Sequence, residues 1–324
     1  MLFFSGIVVL LCLFLFDIIK SNGEIVSSKK SRLFYLIILF LVAFFRNNGL
    51  YIVIALTFLL LFAPRKSKLI LLKINTAAII LILTIQGPIF NLLNIQKSSF
   101  VESVGIPIQQ IADVISKDGN ITDDQKSYID TIMPTEEWGK LYNKHTVDPI
   151  KFNKNFNGDV ISSNKLVFIQ NWLAIGVQNI SVYLDAWVSE TSGYWQPGVY
   201  NYLANSTIED NTLSIKQSNL MSKVFGFSVY KPASFIYYKV SSAPILRLFF
   251  NISFSVYLIL AYVVLATIKK KPSYILPITP LVILWVTLLI AAPTFCEFRY
   301  MYAFHLMLPV IVVWIIKTLN KKVL

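Results

Sequence analysis

Two arginines interrupt long apolar stretches: Arg46 in VAFFRNNGLY, residues 42–51, and Arg299 in PTFCEFRYMYAF, residues 293–304. A guanidinium is a planar fork of donors that fits two oxygens of a phosphate or pyrophosphate at once. If the fold brings Arg46 and Arg299 to one face, they can grip such a group together. Glu297 can orient one of them by pairing with it, or serve in acid–base chemistry, and Tyr300 adds an aromatic surface beside them. Plainer readings stand next to these. Arg46 can snorkel to lipid headgroups, and Glu297 with Arg299 can be an ordinary surface pair.

Two further segments carry reactive types. Tyr194 and Trp195, in GYWQPG (193–198), form an aromatic turn able to stack on a sugar ring or an isoprenoid, or simply to anchor at a membrane surface. Asp148-Pro149-Ile150-Lys151 offers an acid and a base on a proline-stiffened loop, or an ordinary solvated turn. Asp148 and Glu297 are oxygen donors suited to a hard divalent cation, but two carboxylates far apart in sequence do not define a metal site. Cys12, Cys296, His145 and His305 are isolated, without zinc-type spacing. No glycine-rich nucleotide loop is present. The sequence thus indicates no cofactor.

These residues sit among apolar runs. The chain has 324 residues, 56% hydrophobic and only 14% charged, where soluble domains carry about a quarter charged residues. That composition indicates an α-helical integral membrane protein. Seven spans are expected, at 2–19, 33–45, 50–63, 74–89, 248–268, 274–292 and 301–316. The net charge of +12 is unevenly spread. Residues 87–245 hold 12 basic and 14 acidic side chains, and the rest of the chain is strongly basic. Four basic groups (Lys20 to Arg32, Arg65 to Lys73, Lys269 to Lys271, and Lys317 to Lys322) fall on one side of alternating spans, which makes that side cytoplasmic. A basic face for nucleic acid is missing. The C-terminus is then inside and Met1 outside. That orientation leads to the expectation of a C-terminal part of a longer protein, with an upstream membrane subunit or N-terminal half.

Three regions follow: 1–86, with transmembrane helices and an RNNG hairpin; 87–245, an extracytoplasmic domain; and 246–324, the C-terminal transmembrane helices. In the first, Gly49 is expected to permit the turn and Asn47 and Asn48 to bond the freed backbone. In the second, Ile108, Ile111, Ala112 and Ile115 recur at helical spacing, and Thr122 with Gln125 reads as a capping box. Pro134 suits the start of another helix. The domain should be helix-rich, with Trp172, Trp187, Tyr194 and Trp195 near the membrane surface.

RNNGLY, GIPIQQIADV (105–114), NKHTVDPIK (143–151), SVYLDAWVSETSGYWQPG (181–198) and EFRYMYAF (297–304) together resemble the DUF6020 family of multi-pass membrane proteins of Gram-positive bacteria. The resemblance spans nearly the whole chain. Asp113 departs from it, standing where a basic residue is expected. The family's layout is similar to that of GT-C glycosyltransferases, which take a sugar from a polyprenyl-phosphate carrier at the outer membrane face. The resemblance therefore implies sugar transfer to a cell-envelope glycopolymer, with Arg46 and Arg299 on the lipid phosphate and Tyr194, Trp195 and Tyr300 touching sugar or lipid. A non-catalytic protein that scaffolds lipid-linked intermediates is the alternative.

Overall fold

The computed structural model describes residues 1–95, 99–199, 246–292 and 294–319, with short stretches between 223 and 244. Much of the segment from 200 to 245, within the expected extracytoplasmic domain, lies outside the described residues. The chain is nearly all helical. It opens with α1 (Leu2–Lys20), α2 (Lys29–Phe45), α3 (Asn47–Leu59) and α4 (Arg65–Thr84), the last extended by a π turn (Ile85–Ile89) and α5 (Phe90–Leu92). Seven helices follow: α6 (Gly105–Ser116), α7 (Asp123–Ile132), α8 (Thr135–Leu141), α9 (Asp148–Lys151), α10 (Gly158–Ser163), α11 (Lys165–Gln178) and α12 (Ile180–Thr191). The chain returns through α13 (Ile252–Ile268), α14 (Thr279–Ala291) and α15 (Tyr302–Leu319). Among the described residues, the strands are one minimal hairpin, Lys223–Val224 with Phe227–Ser228, and an isolated bridge joins Thr146 to Thr294.

Among the described residues, four helical stretches are long and apolar enough to cross a membrane: Leu2–Lys20, Arg65–Leu92, Pro272–Ala291 and Phe298–Leu319. The other expected spans are also helices, but α2 and α13 have 17 residues each and α3 has 13. The bundle's outside carries exposed Phe58, Ile80, Val264 and Ile290, a surface water would not tolerate over such an extent. Its interior is one apolar core that includes Leu11, Leu39, Ile52, Ala78, Tyr262, Leu284 and Phe304.

A second core lies in residues 101–183, where Ile108 and Ile111 meet Ile129, Trp138, Ile150 and Phe168. The expected caps and starts appear here. The Thr122 hydroxyl accepts from the Gln125 amide, and the Gln125 side chain accepts from the Thr122 amide at 2.9 Å. Such a cap contributes about 1 kcal/mol. Pro134 precedes α8, whose Trp138 is fully buried and donates to the Met133 carbonyl at 2.8 Å.

The RNNG segment differs from expectation. The break is a single residue: Arg46 is extended (φ −159°, ψ 143°), and Asn47, Asn48 and Gly49 already belong to α3. Gly49 is required for close approach rather than for the turn. A Cβ there would lie 1.8 Å from the Val42 carbonyl oxygen of α2. Asn48 does not cap freed backbone. Its Nδ2 donates to Thr287 Oγ1 of α14 at 2.9 Å, pinning the elbow to the bundle.

Basic side chains from three of the loops gather at one end of the bundle. There Lys66 pairs with Glu24 at 3.2 Å, Gly23 packs on Ser67, and Arg32 donates to the Val26 and Ser27 carbonyls. Trp314 packs against Phe16 and Tyr262 one turn before Lys317, drawing the end of α15 to the same end. Arg46 lies at the other end, near Phe4.

Candidate functional site

Four chain segments converge at the Arg46 end. The first is the elbow itself, where Arg46 is half-buried. The second is the connection from α14 to α15, whose last turn (Phe298–Met301) carries Arg299 and Tyr300. The Arg46 guanidinium carbon lies 4.5 Å from the Tyr300 ring centre and 5.9 Å from that of Phe4. The Arg299 guanidinium carbon lies 5.2 Å from the same Tyr300 ring. Contacts of this kind contribute about 0.5–2 kcal/mol each, more as water is excluded. Tyr300 is only 9% exposed, so its ring is occupied by the two cations and offers little face to a sugar.

Glu297 accepts from Arg299 Nε at 3.0 Å. Among the described residues no carboxylate pairs with Arg46. Two guanidiniums therefore lie against one ring with a single carboxylate, held by Arg299, beside them, and the spot keeps a net positive charge.

The third segment is the turn after α12. Tyr194 is fully buried; its hydroxyl donates to the Thr294 carbonyl at 2.9 Å and accepts from the Glu297 amide at 3.3 Å. Tyr194 is enclosed in the apolar core, so it positions the Glu297–Arg299 segment and presents no surface to a ligand. Gly193 makes this possible, because a Cβ there would come within 2.2 Å of the Phe295 carbonyl oxygen. Trp195 is half-buried. Its indole donates to Thr191 Oγ1 at 3.1 Å and its ring lies 6.4 Å from that of Trp187, nearly parallel. It keeps an open edge, as a contact or an anchor requires.

The fourth segment is the loop of residues 143–148. The Phe295 amide donates to the His145 carbonyl at 2.8 Å, beside the Thr146–Thr294 bridge. Asp148, half-buried at the start of α9, has its amide bonded to Thr146 Oγ1 at 3.2 Å. The 143–148 loop and the Arg299-bearing segment are thus held edge to edge.

Against this geometry, comparison with protein families is decisive. The model of DUF6020, a family of unknown function, matches residues 2–323. The chain belongs to the DUF6020 family. No curated protein and no solved structure matches it.

The structure of this DUF6020 chain also contains a functional candidate that sequence reading passed over. Glu190 of α12 is fully buried and accepts from Gln109 Nε2 of α6 at 2.7 Å. The same Gln109 nitrogen donates to the Asn143 carbonyl at 2.6 Å, tying Glu190 to the 143–148 loop. Burial, with the charge of Asp148 adding to it, pushes the Glu190 carboxyl up to about 8, so at neutral pH it is mostly protonated. The outer oxygens of Glu190 and Gln109 are both buried without a partner, and a proton on Glu190 converts one of these two acceptors into a donor. A signal existed: Tyr183, Ala186 and Glu190 share the buried face of α12, and a carboxylate on such a face is uncommon.

Asp113 is also buried and held by Lys117 at 3.0 Å. It stands in place of the expected basic residue and pairs within its own helix end. Cys12 is buried and Cys296 half-buried, and no disulfide joins them. Among the described residues no group of three or more His, Cys, Asp or Glu is arranged to hold a metal ion.

Proposed function

We propose that this DUF6020 chain acts as a GT-C-type glycosyltransferase, or the C-terminal part of one, that transfers a sugar from a polyprenyl-phosphate-linked donor to a cell-envelope glycopolymer. In this reading seven helices cross the membrane and residues 87–245 lie outside the cell. The gathering of Glu24, Arg32, Lys66 and the end of α15 at one end supports that orientation, since basic loops stay cytoplasmic. The single observation that carries the reading is the convergence of Arg46 and Arg299 on Tyr300, with only Glu297 to offset them.

Each residue has a role. Arg46 and Arg299 hold the lipid phosphate bidentately, and Glu297 fixes the plane of Arg299. Trp195 lies where an isoprenoid or sugar would pass. Asp148 is the half-exposed carboxylate for accepting a proton from an incoming hydroxyl. Glu190 and Tyr194 are positioning residues, since neither is open to substrate.

The test is binding of a polyprenyl phosphate and of the corresponding polyprenol to the full chain in lipid nanodiscs. Preference for the phosphate, lost in high salt, is the expected result. Equal binding of the two would overturn the phosphate site. Binding without sugar transfer, when any upstream portion is supplied, would favour the scaffold alternative.

A further inference from the structure

The pair α11–α12 carries an apolar face that nothing among the described residues covers. Leu173 is 52% exposed, Val177 74%, Ile180 61% and Leu184 57%, and Leu166 and Val188 extend the same surface at either end. Helical spacing puts Ile180, Leu184 and Val188 in one line along α12, beside the line of Leu166, Leu173 and Val177 on α11. The surface of α7 is unlike it, with exposed Asp123, Asp124, Lys126 and Asp130.

The charges bordering the apolar face are few. Lys165 stands at its start, and Asp185 at its margin is drawn aside to Lys117 at 3.6 Å. At its far end the face runs into the bundle. Trp187 donates to the Leu289 carbonyl of α14 at 2.8 Å, and the next residue, Ile290, is 65% exposed on the bundle's exterior.

We propose that α11 and α12 lie in the interfacial layer of the bilayer, with Leu173, Val177, Ile180 and Leu184 inserted beside the bundle. Continuity with the exterior of α14 fixes the occupant as lipid of the same membrane. A pair of helices of this length with one apolar face lies along an interface rather than across it. The inference rests on the bundle being in a bilayer, and it goes beyond the proposed reaction. It makes the second core a monotopic element of its own, and sets the depth at which Trp187 and Trp195 sit.

The experiment uses the full chain with Cys12→Ala and Cys296→Ala, reconstituted in phosphatidylcholine–phosphatidylglycerol vesicles. Single cysteines at Val177, Leu184, Asp124 and Val313 carry an environment-sensitive fluorophore, and lipids brominated near the headgroup act as quencher. Positions 177 and 184 should be quenched about as strongly as Val313 on α15, whereas 124 should stay unquenched. Unquenched, water-like emission at 177 and 184 would overturn the proposal. Blue-shifted emission there without lipid quenching would overturn it too, in favour of a second copy covering the face. Loss of quenching at 313 as well would overturn the membrane reading together with it.

Discussion

The guanidinium of Arg46 lies 4.5 Å from the centre of the Tyr300 ring, although 254 positions of chain separate them. Arg299, next to Tyr300 in sequence, approaches the same ring. One aromatic ring thereby has two like charges against it, an arrangement that favours an anion beside them.

Charge-assisted bonds at a guanidinium are worth about 1.5–3 kcal/mol, so Arg46→Lys should weaken polyprenyl-phosphate binding roughly tenfold or more. Arg299→Lys should act likewise. If they share one anion, the double variant should lose less than the two singles combined, because contacting residues are not additive. Strictly additive losses in a binding titration would mean two separate arginines.

Tyr300→Phe keeps the ring and should leave binding and thermal stability near those of the parent. Tyr300→Leu removes the surface both cations use, and should lower stability by about 1 kcal/mol and reduce phosphate affinity. Similar values for both variants would show that the ring face does not matter.

Glu190 gives a pH signature with a definite sign. Its folded value near 8 exceeds the ordinary 4.5, so the unfolded chain gives up this proton first as pH rises. Its contribution favours the fold below about pH 4.5 and is lost progressively up to about pH 8, at most about 1.4 kcal/mol per pH unit. Glu190→Gln should flatten thermal stability across that window. An unchanged pH profile in this variant would mean that Glu190 is already ionised in the fold.

The clamp between the α12 turn and the Arg299 segment is testable at two atoms. Tyr194→Phe removes a hydroxyl that serves both Thr294 and Glu297, and should cost about 1 kcal/mol. Gly193→Ala forces a methyl against the Phe295 carbonyl and should cost about 1–3 kcal/mol or more. Both should also weaken phosphate binding, since they shift Arg299. A stability loss with unaltered affinity would separate the clamp from the site.

Orientation is checked by reagent access in whole cells. Cysteines at Ser163 and Ser28, both exposed positions, should respond oppositely to an impermeant maleimide. Labelling at 163 and protection at 28 is the expected pattern, and the reverse would invert the topology.

Local features were readable from sequence because their causes are local. The capping box at Thr122 and Gln125, the start at Pro134, and the helical spacing of Ile108, Ile111 and Ala112 all involve neighbours within one or two turns. Gly49 has the type of a turn residue, but its reason is the Val42 carbonyl on the facing helix. Glu190 and Gln109 lie 81 positions apart, and Tyr194 and Thr294 lie 100 apart. No periodicity encodes such pairs. They exist because two helices and a loop arrive at one place, and Tyr194, assigned to ligand contact from its type, is consumed in holding them.

One property of the aromatic contacts around α14 has a genetic consequence. Trp187, Tyr194, Trp285 and Tyr257 donate to the main-chain carbonyls of Leu289, Thr294, Tyr194 and Trp195 respectively. A carbonyl acceptor is supplied by every amino acid, so the bonds at positions 289 and 294 do not depend on what side chain stands there. They depend on the count of residues. In a mutational scan, substitutions at 289 should be tolerated far better than those at 187, whereas deleting or inserting one residue between 289 and 294 should be ruinous. The seam is a spacing code, strict about length and indifferent to spelling on its acceptor side.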